Sequence, residues 1–293
     1  MEMHQLRYMV AVARAGNFSR AAEQCHVSQP SLSQQIQKLE QELGERLFLR
    51  LKRQARLTPA GEAFLRRAER ILQEVEAAKR EAEESQHLLR GTLTVGVLPT
   101  LAPYLLPPLV SRFHAKHPNV EMVVVEDTTA QLLKFALSGE IDLALASLPI
   151  TDNRFEVREL FAEELLVALP PNHPLAQKRL LRAKDLEHER FIVMKEGHCL
   201  GDQVLHFCER RAVRPNISFR SAQLETIQAL VCAGMGLSLI PAMAVRAGAS
   251  KQRQPVYRRL EPPRPQRTIV ALWPRQRPLS RAATALLHQL TPP

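Results

Sequence analysis

FSRAAEQCHVSQPSLSQQIQKLE, residues 18–40, holds two short helical patterns either side of a tight break. Ser19 reads as the N-cap of a short helix carrying Ala21, Ala22 and Cys25, because a serine hydroxyl accepts a first-turn backbone N–H. After the turn at His26-Val27, Ser28 is a second cap, and Pro30 is tolerated in the first turn of the helix it opens. Leu32, Ile36 and Leu39 then fall at i, i+4 and i+7 on one side, leaving Ser31, Ser33, Gln34, Gln35 and Lys38 on the other. Upstream, Leu6, Met9, Val10 and Ala13 keep a helical period that Ala15-Gly16-Asn17 ends. A second helix with a hydrogen-bonding outer face suits the major groove, where short polar side chains read base edges. Taken alone, plain helical packing remains the alternative. Downstream, Arg46, Arg50, Lys52, Arg53 and Arg56 lie in a segment without an acid, which suits a wing on a phosphate backbone. This zone carries almost no strand signal and reads as helical.

From Thr58, a threonine cap with Pro59 at the first helical position, the chain runs Ala/Glu/Arg-rich to about Gln86 as one long helix. Phe64, Ala68, Ile71, Val75 and Ala78 form a narrow seam suited to pairing with a second copy, the alternative being packing on its own domain. After a hinge at Leu89-Arg90-Gly91, strands and helices alternate. Candidate strands are Thr92 to Leu98, Val120 to Glu126, Asp142 to Ala146, Leu165 to Leu169, Phe191 to Met194, Ile217 to Arg220, Leu237 to Ile240 and Ile269 to Trp273. The pattern predicts a parallel-sheet α/β unit, with Gly234, Gly236 and Pro241 in turns bracketing a buried strand. Thr100, between the first strand and a helix, either caps that helix or joins its free N–H groups in holding a small polar ligand; Thr129 stands similarly at another helix start.

The chain has 293 residues, 45% hydrophobic, enough for two or three cores, and a net charge of +10 that favours polyanionic partners. No apolar run approaches the ~20 residues that span a bilayer, and the N-terminus reads as neither signal peptide nor anchor, so the cytoplasm is expected and a membrane is not. A second basic stretch, Lys251 to Arg281 against Glu261 alone, reads as solvated surface. Cys25, Cys199, Cys208 and Cys232 have neither the density of a disulfide scaffold nor metal-finger spacing, so neither structural zinc nor a cofactor is expected. Cys25 and Cys232, in Ala/Val-rich surroundings, read as small buried hydrophobes. No P-loop, G-x-S-x-G elbow or H-E-x-x-H motif occurs, which argues against an enzyme.

Phe18-Ser19-Arg20-Ala21-Ala22-Glu23, Val27-Ser28-Gln29-Pro30-Ser31-Leu32-Ser33, Ile36-Gln37-Lys38-Leu39-Glu40, Leu43-Gly44, Leu47-Phe48 and Leu57-Thr58-Pro59-Ala60-Gly61, in that order, resemble the signature of LysR-type transcription regulators. The resemblance implies an all-α winged helix-turn-helix DNA-binding domain (1–58) and a linker helix (59–90). An α/β regulatory domain resembling a periplasmic binding protein follows (91–293), with sub-domains 91–162 plus 268–293 and 163–267. It places Gln29, Pro30, Ser31, Ser33, Gln34 and Lys38 near double-stranded DNA, with Arg50, Lys52 and Arg53 on the wing. It further implies a homodimer through the linker helix, a homotetramer built from such dimers, and contact with RNA polymerase if the protein is an activator.

Within that family, Glu196-Gly197-His198-Cys199-Leu200-Gly201-Asp202-Gln203, followed by Phe207-Cys208, is similar to the redox segment of the hydrogen peroxide sensors. Pro99-Thr100, Thr129 with Gln131-Leu132-Leu133, Leu224-Glu225-Thr226 and Arg267-Thr268-Ile269 extend the similarity. It implies Cys199 as the peroxide-reactive thiol, Cys208 as the resolving thiol joined to it in a disulfide, and Thr100, Thr129, His198 and Asp202 around the peroxide or an effector. From position alone, buried structural thiols remain the alternative for both cysteines, although Lys195, His198 and a helix start would favour the thiolate of Cys199. The peroxide sensors commonly carry an Arg after the Cys-Leu pair where this chain has Gly201, a loss of positive charge that would leave Cys199 less acidic. Two readings follow: a peroxide-responsive regulator of oxidative-stress genes, and a LysR-type regulator whose inter-sub-domain cleft takes a small organic effector.

Overall fold

In the computed structural model, which describes residues 1–51, 54–83, 89–247 and 254–290, the stripe Leu32, Ile36 and Leu39 is buried against Leu6, Met9, Val12, Ala21 and Ala22. These residues come from α1 (Met3–Ala15), α2 (Phe18–Gln24) and α3 (Gln29–Leu43). Asn17, not Ser19, caps α2: its Oδ1 accepts the Ser19 and Arg20 amides at 2.8 and 3.2 Å, leaving Ser19 inside the first turn. Asparagine caps as strongly as serine, and here it stands one residue before the helix. Ser28 caps α3, its Oγ accepting the Ser31 amide at 3.3 Å.

The first zone is not wholly helical. Strands β1 (Phe48–Leu51) and β2 (Gln54–Leu57) pair antiparallel as a hairpin. Glu40 Oε1 anchors it to α3 by accepting the Leu47 and Phe48 amides at 2.8 and 3.1 Å, and Phe48 meets Phe18 edge-on. Thr58 caps the next helix, its Oγ1 accepting the Gly61 amide at 2.9 Å. That helix, α4, runs Pro59–Glu83, about 37 Å at 1.5 Å per residue. The expected seam divides along it. Ala68 is buried in the head's own core with Phe64, Leu65 and Leu72 against it, whereas Ile71 is 38% exposed. These elements form one unit, Met1–His87; a second covers Leu88–Pro293.

The second unit runs β3 (Gly91–Val97), α5 (Ala102–Lys116), β4 (Val120–Glu126), α6 (Thr129–Ser138), β5 (Leu143–Ser147), β6 (Phe155–Leu169), β7 (Leu180–Leu181), β8 (Arg190–Met194), α7 (Cys199–Arg210), β9 (Asn216–Ser221), α8 (Leu224–Cys232), β10 (Ser238–Pro241), α9 (Ala242–Ala247), β11 (Val256–Leu260), β12 (Gln266–Pro274) and α10 (Arg281–Leu290). The expected all-parallel arrangement is only partly present. β3 is parallel to β4 and β5, and β8 to β9, but β12 is antiparallel to β5 and β6, and β6 is antiparallel to β10 and β11. The mixed sheet arises because β6 runs antiparallel to β12 along its first part and to β10 and β11 along its last.

Two cores result. One gathers β3, β5, α5, α6 and α10 with Phe155 and Leu160 of β6 and Ile269 to Leu272 of β12; the other gathers β8, α7, α8 and β10 with Leu165 to Leu169 of β6. β6 thus changes core between Leu160 and Leu165. Gly236, at φ 156°, lies before the buried β10 where any Cβ would stand 2.6 Å from the Arg190 carbonyl oxygen. No helix among the described residues is long and apolar enough to cross a membrane.

Candidate functional site

Two sites emerge, one in each unit. On α3, burial of Leu32, Ile36 and Leu39 leaves Gln29, Pro30, Ser31, Gln34 and Lys38 exposed along the opposite side. Ser33 is half-buried at the edge of that stripe. Arg50 lies on β1, while Lys52 and Arg53 lie outside the described residues. The exposed face is polar and carries a single cation, which suits donors and acceptors aimed at base edges more than a purely electrostatic grip.

The second site surrounds Arg267 on β12, in register with Glu163 of β6. Part of the stretch that reads as solvated surface, Arg267 is 2% exposed. Its Nε donates to Glu163 Oε2 at 2.8 Å, its Nη1 to Thr100 Oγ1 at 2.9 Å and its Nη2 to the Thr100 carbonyl at 3.2 Å. The other carboxylate oxygen of Glu163 accepts the Met243 amide at 2.7 Å. A buried guanidinium needs such a set, since either charge left alone in the interior costs several kcal/mol, of order 3–5. Thr100, 3% exposed, therefore does not cap the following helix: α5 begins after Leu101 without a side-chain cap, and the Thr100 hydroxyl serves Arg267.

Cys199 is the first residue of α7, with His198 as N-cap. Its helix belongs to the second core, through Leu200, Val204 and Cys208, yet Cys199 itself packs against the first. Its thiol pKa is raised because burial outweighs everything else. The Arg267 charge, the Thr129 hydroxyl and the Leu200 amide act against that rise, and Asp202 adds to it. The expectation that this position favours the thiolate is thus corrected, because burial disfavours the charged form. The principal cation acting on the sulfur is Arg267, rather than Lys195 or His198. Thr129 opens α6, and its buried hydroxyl has no hydrogen-bond partner among the described residues. Arg267 and Thr129 therefore converge on Cys199, and Thr100 joins through Arg267. His198 is half-buried and Asp202 exposed, and neither side chain makes a hydrogen bond to that group.

Cys208 is fully buried at the far end of α7, and burial pushes its thiol up to about 11. Both sulfurs are free. Nine helical positions separate them by about 13.5 Å of rise, whereas a disulfide needs Cα atoms roughly 4.4–6.8 Å apart. Gly201, between them, has a packing reason: a Cβ there would stand 2.9 Å from the Met194 carbonyl oxygen, so α7 lies closer to β8 than any other residue allows. A glycine within a helix also weakens it by about 1 kcal/mol relative to alanine.

Gln203, not singled out by its sequence context, ties α7 across to the first core, its Nε2 donating to Ser147 Oγ and the Leu148 carbonyl at 2.8 Å each. The raised Cys199 pKa makes a prediction. The thiolate is the nucleophile, so alkylation of Cys199 by iodoacetamide should accelerate about tenfold per pH unit from pH 6 to pH 8.5, as each unit below the pKa costs a tenfold thiolate fraction. A plateau below pH 8 would contradict the burial argument.

Two family models match the chain: "Bacterial regulatory helix-turn-helix protein, lysR family" over residues 3–62 and "LysR substrate binding domain" over residues 86–292. Among curated proteins, the chain is 38% identical over 269 residues to the DNA-binding transcriptional dual regulator OxyR of Escherichia coli K12, covering 92% of this chain and 88% of that one. Among solved structures, a full-length OxyR variant from Pseudomonas aeruginosa superposes with a TM-score of 0.80 at 33% identity, covering 99% and 94% of the two chains. A hydrogen-peroxide-bound OxyR mutant from Corynebacterium glutamicum gives 0.66 at 31% identity, covering 99% and 93%.

Proposed function

Because the chain belongs to the LysR family of bacterial transcription regulators, we propose that it binds double-stranded DNA as a homodimer, or a tetramer of such dimers, and senses hydrogen peroxide through Cys199 and Cys208. The observation that carries this reading is the position of Cys199: it starts α7 against one core, under the influence of Thr129 and Arg267, while Cys208 anchors the other end of α7 in the second core.

The chemistry balances in two steps. The Cys199 sulfur attacks one oxygen of the peroxide, the O–O bond breaks, and the thiol proton leaves with the second oxygen as water, giving a sulfenic acid. Cys208 then attacks that sulfur, and the S–OH oxygen leaves as a second water once it takes the Cys208 proton. Thr100, Thr129, His198 and Asp202 hold the peroxide, with the Thr129 hydroxyl as its direct donor. Closing the disulfide unwinds α7, which removes the tie of Gln203 to Ser147 and Leu148. A covalent event thereby repacks one side of the regulatory unit, and the cytoplasm supplies thiols that reverse it.

In the head, Gln29, Pro30, Ser31, Ser33, Gln34 and Lys38 of α3 enter the major groove, with Arg50, Lys52 and Arg53 on the phosphates. Footprinting on an operator selected from random DNA tests the coupling. Peroxide should change the protected length by about one helical turn, ~10 base pairs, and Cys208→Ser should keep the reduced footprint in peroxide. Identical wild-type footprints in both states, with the disulfide shown to be present, would defeat the reading.

A further inference from the structure

Away from the Cys199 site, α7 presents a second set of side chains to a cavity of about 430 Å³. Gln203, Phe207 and Arg210 of α7, with Arg211 just beyond it, line it together with residues 263–266 and Leu165. Pocket volumes of roughly 300–1,000 Å³ are those that take small ligands. Three guanidinium groups, of Arg210, Arg211 and Arg264, line it, and no carboxylate does.

The neighbouring acids do not neutralise this set. Glu164 is shared by Arg264 at 3.5 Å and Arg259 at 3.4 Å, so one carboxylate serves two cations. Arg211 spends one nitrogen on the Pro263 carbonyl, at 2.6 Å, and lies 6.0 Å over the Phe207 ring. Arg210, exposed at the end of α7, makes no ion pair or hydrogen bond among the described residues. Phe207, Pro263 and Pro265 supply flat apolar walls between these charges. Forked guanidinium donors match a planar carboxylate or a phosphate, and an aromatic wall adds a stacking surface.

We propose that this cavity binds a small organic dianion with a flat apolar body, an aryl dicarboxylate or aryl phosphate, and that its occupancy holds α7 in the helical form. The ligand bridges α7 to residues 263–266, and its α7 contacts at 207 and 210 are aligned only while α7 is a helix. A ligand that binds only that form stabilises it by linkage, so it slows closure of the Cys199–Cys208 disulfide. The second half of the proposal rests on the peroxide-sensing reading; the first does not.

Calorimetric titration of phthalate into the reduced full-length chain tests it, with benzyl alcohol as the ring without charge and sulfate as the charge without a ring. Phthalate should bind one to one with sub-millimolar affinity, at least tenfold tighter than either control. The double variant R210A/R264A should lose that affinity at least tenfold, while Glu209→Gln, outside the cavity, retains it. No saturable phthalate binding, sulfate binding as tightly as phthalate, or an unaffected double variant would each overturn the site. Disulfide formation is then timed with and without saturating phthalate. Binding together with slower closure supports both halves; binding with unchanged closure overturns the coupling; binding with no disulfide under any condition leaves the anion site standing and defeats the peroxide reading instead.

Discussion

Arg267→Ala is expected to destabilise the regulatory unit by about 3–5 kcal/mol, the cost of leaving one partner of a buried ion pair uncompensated. Glu163 would remain buried with only the Met243 amide, and the Thr100 hydroxyl and carbonyl would both lose a donor. The effect extends beyond stability because Arg267 is the largest influence lowering the Cys199 pKa. Its removal should therefore slow alkylation of Cys199 at fixed pH in whatever folded protein remains, whereas a purely structural role would leave that rate unchanged. Arg267→Lys keeps the charge but not the fork, so it should recover part of the reactivity and little of the stability. Denaturant titration with parallel alkylation measures both. A loss of stability below 1 kcal/mol, or an alkylation rate equal to wild type, would contradict the assignment.

The second large effect is at the sulfur itself. Cys199→Ser should abolish the response to peroxide, with no disulfide formed and no change in footprint, while DNA binding by the reduced form is retained. The head that carries α3 belongs to a separate unit from α7, so the substitution leaves the exposed side of α3 intact. Cys208→Ser should behave differently: Cys199 still reacts, and the sulfenic acid accumulates because nothing resolves it. Trapping with dimedone distinguishes the two variants, the adduct appearing only where Cys199 is present. An adduct on Cys208 in the Cys199→Ser protein would reverse the assigned roles.

The head was largely legible in the sequence because its signals are local. The stripe Leu32, Ile36 and Leu39, the cap at Ser28 and Pro30 in the first turn each act within a few residues, and α3 forms where they place it. The wing was placed by its basic residues, but its strands β1 and β2 were not read as such, since each has only four residues and the segment offers no long alternating pattern. The same applies to the first half of β6, whose FEVRELFAEE run is rich in glutamates. Its pairing with β12 makes it a strand, a tertiary effect overriding local propensity.

Around Cys199, the residues Thr100, Thr129 and Cys208 could be named from their neighbours in sequence, but Arg267 could not be read as buried. Its partners lie 104 and 167 residues away, and a basic residue in a basic stretch reads as solvated until Glu163 and Thr100 are seen around it. Gln203 escaped notice likewise, because Ser147 and Leu148 approach it from the other core. The rise in the Cys199 pKa is of the same kind, for burial belongs to the fold and not to the immediate neighbours.

The central claim, that Cys199 and Cys208 form a peroxide-driven disulfide across a helix that must unwind, is tested most directly by differential thiol labelling and peptide mass spectrometry. Reduced protein would be sampled before and after brief exposure to low-micromolar peroxide, with Cys199→Ser as control. The account predicts a linked 199–208 peptide pair in the wild type alone, with Cys25 and Cys232 still labelled as free thiols. Both Cys199 and Cys208 remaining free while the protein still binds DNA would contradict it.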